Sequence, residues 1–494
     1  MMTIASILHA KPLAGVKMSA RGAVAGLAAA AAFAVTVFAP QVLNDGDTFL
    51  HIAAGGRMLD DHAILFRDPF SYTFAGAPWD AHEWLAEIAM AFAYRGGGWS
   101  GLLLLFAVAA ALTAAVLSYV LGRWLAPKSQ ALATVLAMAC MTGSLLARPH
   151  LLALPLLAIW IAELVRARSE KRAPSLALLP VMVIWVNIHA SFLLGFALAV
   201  GLALEALLAE PSLKTLRAWG QFGLGALGAA LINPHFIEGL IFPLTLMATP
   251  ALAAVGEWRA TPLSLTQPIV PVVVATIYIL ATRRVRIAPV RLLMLLGLAA
   301  LAFSHVRHQI VFAVASPLLL AEPLARAFRE NGEMDRDWRP AAAAALAVLL
   351  VLAGLRFAAP LTRGDSAVAP ITALAAVPAE LRARPVLNDY AFGGYLIFSG
   401  VRPFIDSRAE LYGEAMLESY AALIKPNPAL LRATIHRYDI RWSILNPTSP
   451  IISELDAMPG WHRLYADRFA VVQFRDNPAG PAPAELSPPL RAPR

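Results

Sequence analysis

Eleven apolar stretches run through the chain, at about 22–43, 99–122, 129–147, 150–165, 174–188, 190–209, 217–233, 267–282, 288–304, 308–325 and 340–358. A bilayer crossing takes roughly 20 apolar residues, with tolerance for tilt, so each stretch predicts a transmembrane helix. The fifth is short, and its break from the sixth falls at Asn187–Ser191. After Leu361 the pattern changes. Arg384–Asp389, Pro403–Asp406 and Arg441–Leu445 read as strands, and Trp461–Tyr465 with Phe469–Phe474 as a closing hairpin. Tyr390–Ile397 reads as a turn and short helix, and Glu414–Ile424 and Pro428–Tyr438 as helices. This alternation predicts a small α/β unit.

Charge assigns the sides. With the N-terminus inside, the inner segments hold 18 Lys and Arg, from Lys11, Lys17 and Arg21 to Arg326, Arg329, Arg336 and Arg339. The outer segments before the tail hold only Arg57, Arg67, Arg95, Arg148, Arg259 and Arg307. That is the positive-inside asymmetry, and it puts the tail outside. The same alternation sorts the other polar residues. Asp45, Asp47, His51, His82, Glu83, Arg148, His150, Asn187, His189, Asn233, His235, Glu257, Arg307 and His308 all fall on the outer side. Ionisable groups at a bilayer edge are costly to keep, so a one-sided cluster of them predicts a shared site.

Composition agrees with a membrane protein: 59% of the 494 residues are hydrophobic and only 15% charged, outside the range of ordinary soluble domains. The net charge of +8 is accounted for by the inner loops. No basic stripe with interleaved aromatics is present, which argues against nucleic acid. Cys140 is the single cysteine, which excludes an intramolecular disulfide and a cysteine-based metal site. Lys11, Lys17 and Arg21 before Ala23–Val42 also fit a signal peptide cleaved near Ala39, but the apolar run is long for one and predicts an uncleaved span.

The first outer loop, 44–98, is the most acidic segment. Thr48–Asp60 has helical apolar spacing and predicts a short helix on the membrane surface. Arg67–Ser71 reads as a turn, and His82–Ile88 as the start of a second helix with Glu83 and Glu87 on one face. Asp45 and Asp47 flank Gly46. That spacing suits two carboxylates on one cation, a base beside a second anion, or a pair of helix caps. If Asp47 opens a helical turn, His51 lies one turn later on its face. Arg148-Pro149-His150 breaks a helix and offers two anion ligands. Arg307 and His308 fall at the N-terminus of the tenth stretch, where free N–H groups favour an anion and an arginine fork suits phosphate.

Asp47–His51 (Asp-Thr-Phe-Leu-His), Asp68–Thr73 and His82–Leu85 resemble a group of bacterial membrane proteins placed with the GT-C glycosyltransferases. Asn388–Tyr390, Gly394-Tyr395 and Phe404–Arg408 resemble the same group, so the likeness spans most of the chain. It implies a GT-C-like polytopic helical protein of about 11 transmembrane helices. Residues 1–361 would form the transmembrane domain, with amphipathic helices in the 44–98 loop. Residues 362–494 would form a small soluble α/β periplasmic domain. The expected location is the bacterial inner membrane, with the N-terminus cytoplasmic.

The resemblance further implies transfer of a hexosyl or pentosyl group from a polyprenyl-phosphate donor to a glycan, lipid or protein acceptor on the outer face, with inversion. Asp47 or Asp45 maps to the essential acid of the first loop. Gly46 separates two acids that are adjacent in many members, so the choice of base stays open, as does the need for a divalent Mg or Mn ion held by Asp45, Asp47 and His51. Arg307 and His308, with Arg148, would bind the donor phosphate. Glu83 and His51 would assist the acid. His82, His150, Asn187, His189 and Glu257 would line the rest of the site. The alternatives are a flippase for a lipid-linked sugar and a glycan ligase or polymerase. Of these, the flippase would place polar groups near the bilayer midplane.

Overall fold

The computed structural model describes residues 19–247, 259–332, 338–359 and 361–476. The chain opens with α1 (Ala20–Val37), capped by the Ser19 hydroxyl, and then α2 (Gly46–Asp61), capped by the Asp45 carboxylate. The central element is α3 (Trp84–Leu121), which packs on α1, on α2, and on α4 (Pro127–Met141) and α5 (Pro149–Ser169). The bundle continues with α6 (Leu179–Val186), α7 (Phe192–Ala209), α8 (Leu213–Ala230) and α9 (Phe236–Met247). It ends with α10 (Ile269–Thr282), α11 (Pro289–Ser304), α12 (Gln309–Phe328) and α13 (Arg339–Ala358).

Every predicted apolar stretch contains a helix. Among the described residues, six helical segments are long and apolar enough to cross a membrane: α1, α3, α5, α7, α12 with the turn before it, and α13. Segments at Leu176–Val186, Phe236–Met247, Ile269–Thr282 and Pro289–Ser304 are apolar but shorter.

Two local expectations change. A surface helix starting at His82 and a separate span starting at 99 were predicted; a single helix runs from Trp84 to Leu121 instead. Gly97 and Gly98 leave helical geometry inside it, and Gly98 takes a φ of 58°. Glycine enters that region without a Cβ penalty, so the chain kinks and resumes. Pro403–Asp406 forms no strand either. Its backbone is satisfied elsewhere: the Phe404 N–H donates to the Asn388 side chain, and the Phe404 carbonyl accepts from Thr73.

The C-terminal unit carries a four-stranded mixed sheet. Short helices α14 (Ile371–Ala375) and α15 (Ala379–Arg382) lead into β1 (Val386–Asn388), followed by α16 (Gly393–Phe398), α17 (Ala409–Leu423) and α18 (Pro428–Arg437). Then come β2 (Trp442–Leu445), α19 (Ile451–Asp456), β3 (Trp461–Ala466) and β4 (Val471–Arg475). The order is β1-β2-β4-β3, with β1 parallel to β2 and the other pairs antiparallel.

This unit is docked on the first loop by close packing. A Cβ on Gly394 would lie 2.2 Å from the Gly46 carbonyl oxygen, so α16 meets the start of α2 backbone to backbone. Tyr72 donates to the Val386 carbonyl at 2.9 Å. Arg408 pairs with Asp68 at 2.7 Å and with Asp406 at 2.6 Å, stacked over Trp79. A buried arginine with two carboxylates and an aromatic floor is fixed in orientation.

Candidate active site

The site is built where α2 crosses α3. A Cβ on Gly55 would sit 1.9 Å from the Glu87 carbonyl oxygen, so only glycine permits this approach. It brings His51 of α2 against two carboxylates at the start of α3. His51 Nδ1 lies 3.1 Å from Glu87 Oε1, and Nε2 lies 3.9 Å from Glu83 Oε2. Burial opposes the charged imidazole, but its hydrogen bond to Glu87 and the charges of Glu83, Glu87 and Asp47 outweigh it. They hold His51 up at about 9.

Glu83 is the opposite case. Burial, then Glu87 and Glu410, push its carboxyl up to about 8 against the pull of His51 and Arg307. His82 is pushed down to about 4, chiefly by burial, and stacks on Phe242 at 4.2 Å. Burial, then His150 and Arg307, hold the His189 imidazole well below its ordinary value. Its Nε2 lies 3.7 Å from Glu83 Oε1.

Asp45 caps α2 through the Asp47 N–H at 2.8 Å. Arg148, extended just before α5, reaches both acids: its Nη2 lies 2.8 Å from Asp45 Oδ2 and 3.1 Å from Asp47 Oδ2. Burial raises the Asp47 carboxyl, with Asp45 adding to it. Arg148, His51 and a hydrogen bond from Ser407 draw it back.

Asp47, His51, His82, Glu83, Arg148, His150, His189, Arg307 and His308 all line one cavity of about 470 Å³. Its other wall is apolar, from Leu193 and Leu194 on α7, Pro243 and Leu244 on α9, and Leu298 on α11. A concave site with an apolar wall and a few convergent polar groups is the usual form of a ligand site. Asp45 stands behind Asp47, outside the wall. Asn187 is outside it too: its side chain accepts from the Trp84 indole at 2.7 Å and donates to the Ile232 carbonyl at 2.9 Å, joining three elements. Glu257 lies outside the described residues.

The expected cation set is arranged differently from a metal site. The Arg148 guanidinium stands between Asp45 and Asp47, and His51 is turned to Glu83 and Glu87. Among the described residues, no group of three or more His, Cys, Asp or Glu side chains is placed to hold a metal ion. The residues present do not fit one.

The structure adds residues that sequence reasoning did not assign to the site. Glu87 shares the His51 face of α3. Trp79, Ser407, Arg408 and Glu410 line the cavity from the first loop and the C-terminal unit. The Trp79 indole donates to Glu410 at 3.0 Å, and burial raises the Glu410 carboxyl. Of these, Ser407 and Arg408 fall within the Phe404–Arg408 motif that carries the family resemblance, and Glu87 was placed on one helix face with Glu83.

No family model matches the chain, and no curated protein does. Solved structures do. The archaeal oligosaccharyltransferase AglB from Archaeoglobus fulgidus, in complex with an inhibitory peptide and a dolichol-phosphate, matches with a TM-score of 0.51 at 11% identity. The match covers 85% of this chain and 69% of that one. ArnT from Cupriavidus metallidurans, bound to undecaprenyl phosphate, matches with a TM-score of 0.50 at 11% identity, over 91% of this chain and 97% of that one. With 85% and 91% of its length inside those overlaps, the chain has the fold of the GT-C glycosyltransferases.

Proposed function

We propose that this chain is an integral membrane glycosyltransferase. It would move a sugar from a polyprenyl-phosphate donor to an acceptor hydroxyl on the extracytoplasmic face of a bacterial inner membrane, with inversion. The observation that carries the reading is the single cavity that joins an apolar wall to Asp47, Glu83 and Arg307. A lipid phosphate with a sugar head has the same division. The polyprenyl phosphates held by the two solved proteins of this fold support it. In this reading all eleven apolar stretches cross the membrane, with the N-terminus cytoplasmic and the C-terminal unit periplasmic.

Arg307 and His308 hold the donor phosphate at the cavity end of α12, the guanidinium through its planar fork. Asp47 takes the proton from the acceptor hydroxyl. The hydroxyl oxygen then bonds to the anomeric carbon as the bond from that carbon to the phosphate oxygen breaks on the opposite face. The lipid phosphate leaves as an anion stabilised by Arg307. Asp47 rather than Glu83 is the base because Glu83, at about 8, keeps its proton at neutral pH and donates a hydrogen bond instead. Burial raises both carboxyls, but Asp47 has the Arg148 guanidinium at 3.1 Å to oppose it.

The test uses purified full-length protein, a labelled polyprenyl-phosphate hexose, and bacterial membranes as the source of acceptor. Transfer of label with release of lipid phosphate, lost in Asp47→Asn, is expected. Undiminished transfer by Asp47→Asn removes Asp47 from the base role. Translocation of intact donor without release of phosphate identifies a flippase instead.

A further inference from the structure

Asp45 and Asp47 stand on either side of Gly46 with the spacing that a divalent ion would use, and a protein cation occupies that place. Arg148 Nε donates to Asp45 Oδ2 at 2.8 Å, and Nη2 lies 2.8 Å from the same oxygen and 3.1 Å from Asp47 Oδ2. The remaining Asp45 oxygen accepts the Asp47 N–H. His51, the third residue of the set, is directed at Glu87 and Glu83. The backbone secures the arrangement. Arg148 is extended, and Pro149 opens α5 directly after it, which restricts the residue before proline to that region. The Ala147 N–H donates to the Val42 carbonyl at 2.7 Å, and Thr48 of α2 donates to the Ala147 carbonyl at 3.0 Å. The segment carrying the guanidinium is thus tied to both ends of the segment carrying the acids.

We propose that Arg148 is the built-in counter-ion of this site, standing where a divalent metal would otherwise bridge the two first-loop aspartates, so that Asp47 works without a metal. A divalent ion beside this guanidinium would meet a fixed like charge. The planar fork supplies the same service as the ion: its charge opposes the effect of burial on the Asp47 carboxyl, and its geometry holds that carboxyl in one orientation. Arg148 acts through Asp47 and is a positioning residue. The proposal rests on the glycosyltransfer reading only in giving Asp47 a place at the reacting centre.

The probe is Mn²⁺ alone, titrated into the purified full-length chain and followed by electron paramagnetic resonance. Wild type is expected to bind no Mn²⁺ at Asp47. Arg148→Ala leaves the two acids facing each other without a cation and should gain a saturable Mn²⁺ site, at least about tenfold tighter than any residual binding by wild type, the range over which neighbouring groups tune metal sites. The gained site should vanish in Arg148→Ala with Asp47→Asn. Arg148→Lys, which keeps the charge, should gain none. One Mn²⁺ bound per wild-type chain and lost in Asp47→Asn would overturn the proposal. So would a folded Arg148→Ala that gains no site. If Arg148→Ala fails to fold, the wild-type and Asp47→Asn titrations decide alone. A chain that transfers no sugar defeats the glycosyltransferase reading while these titrations stand, so the two failures are told apart.

Discussion

Glu83→Gln separates the two carboxyls of the cavity. The Glu83 side chain is 13% exposed, with His51 and His189 within 4 Å. Its carboxyl rises from an ordinary 4.5 to about 8, first through burial. Each pH unit is worth about 1.4 kcal/mol, so the ionised form is disfavoured there by about 5 kcal/mol. At pH 7 the group is a neutral donor, and glutamine reproduces its shape and its neutrality. The variant should keep transfer at neutral pH within a few-fold of wild type. Asp47→Asn should lose about 10²–10⁴-fold, the range of a lost general base.

The assay is the initial rate of lipid-phosphate release between about pH 6 and pH 10. Wild type should lose rate as Glu83 deprotonates near 8, and Glu83→Gln should lack that limb. Stability moves in the same sense. Between 4.5 and about 8 the folded chain holds a proton that the unfolded chain releases. Wild type therefore loses stability as pH rises through that window, by about 3 kcal/mol at pH 7. Glu83→Gln should show a smaller fall in melting temperature over it. A Glu83→Gln variant as inactive as Asp47→Asn, or one that keeps the limb near 8, would refute the neutral assignment.

Arg307→Ala should weaken binding of undecaprenyl phosphate by about 10–100-fold, the value of a charge-assisted hydrogen bond, in a titration followed by thermal stabilisation; Arg307→Lys should recover part of it. Gly55→Ala sets a Cβ 1.9 Å from the Glu87 carbonyl oxygen, so it should cost about 1–3 kcal/mol and part His51 from Glu87, read as a lower melting temperature together with a lower rate. Arg408→Ala leaves Asp406 and Asp68 buried without their cation and should cost about 3–5 kcal/mol; faster proteolysis between the first loop and the C-terminal unit would report it.

Helix placement was legible because it is local. Apolar runs long enough for a bilayer became helices, and Asp45 at the head of Thr48–Asp60 became the cap of α2. The break at Gly97-Gly98 was misread, because two glycines signal a stop whether the helix ends there or only kinks. Pro403–Asp406 was misread because a β-rich run does not reveal that a distant Asn388 side chain will take its backbone N–H. Within the site, Asp47, His51 and Glu83 were visible from spacing. Glu410, beyond the end of the Phe404–Arg408 motif, was not.

The sequence by itself determined which segments leave water, which end of each carries the polar residues, and that Asp47 and His51 share a helix face. These follow from periodicity and composition, which act over a few turns. Tertiary structure alone decided who meets whom. It set Asn187 to joining α3 and α6 and left Asp47 at the cavity wall. It turned Arg148 toward two aspartates. It brought Ser407 and Glu410 to a site begun by Asp47. It pushed one buried carboxyl and one imidazole above their ordinary values. Those outcomes depend on distances of a few ångströms between elements far apart in the chain. Such distances are fixed by how closely backbones can approach, at Gly55 against Glu87 and at Gly394 against Gly46, and by the loss of water that follows.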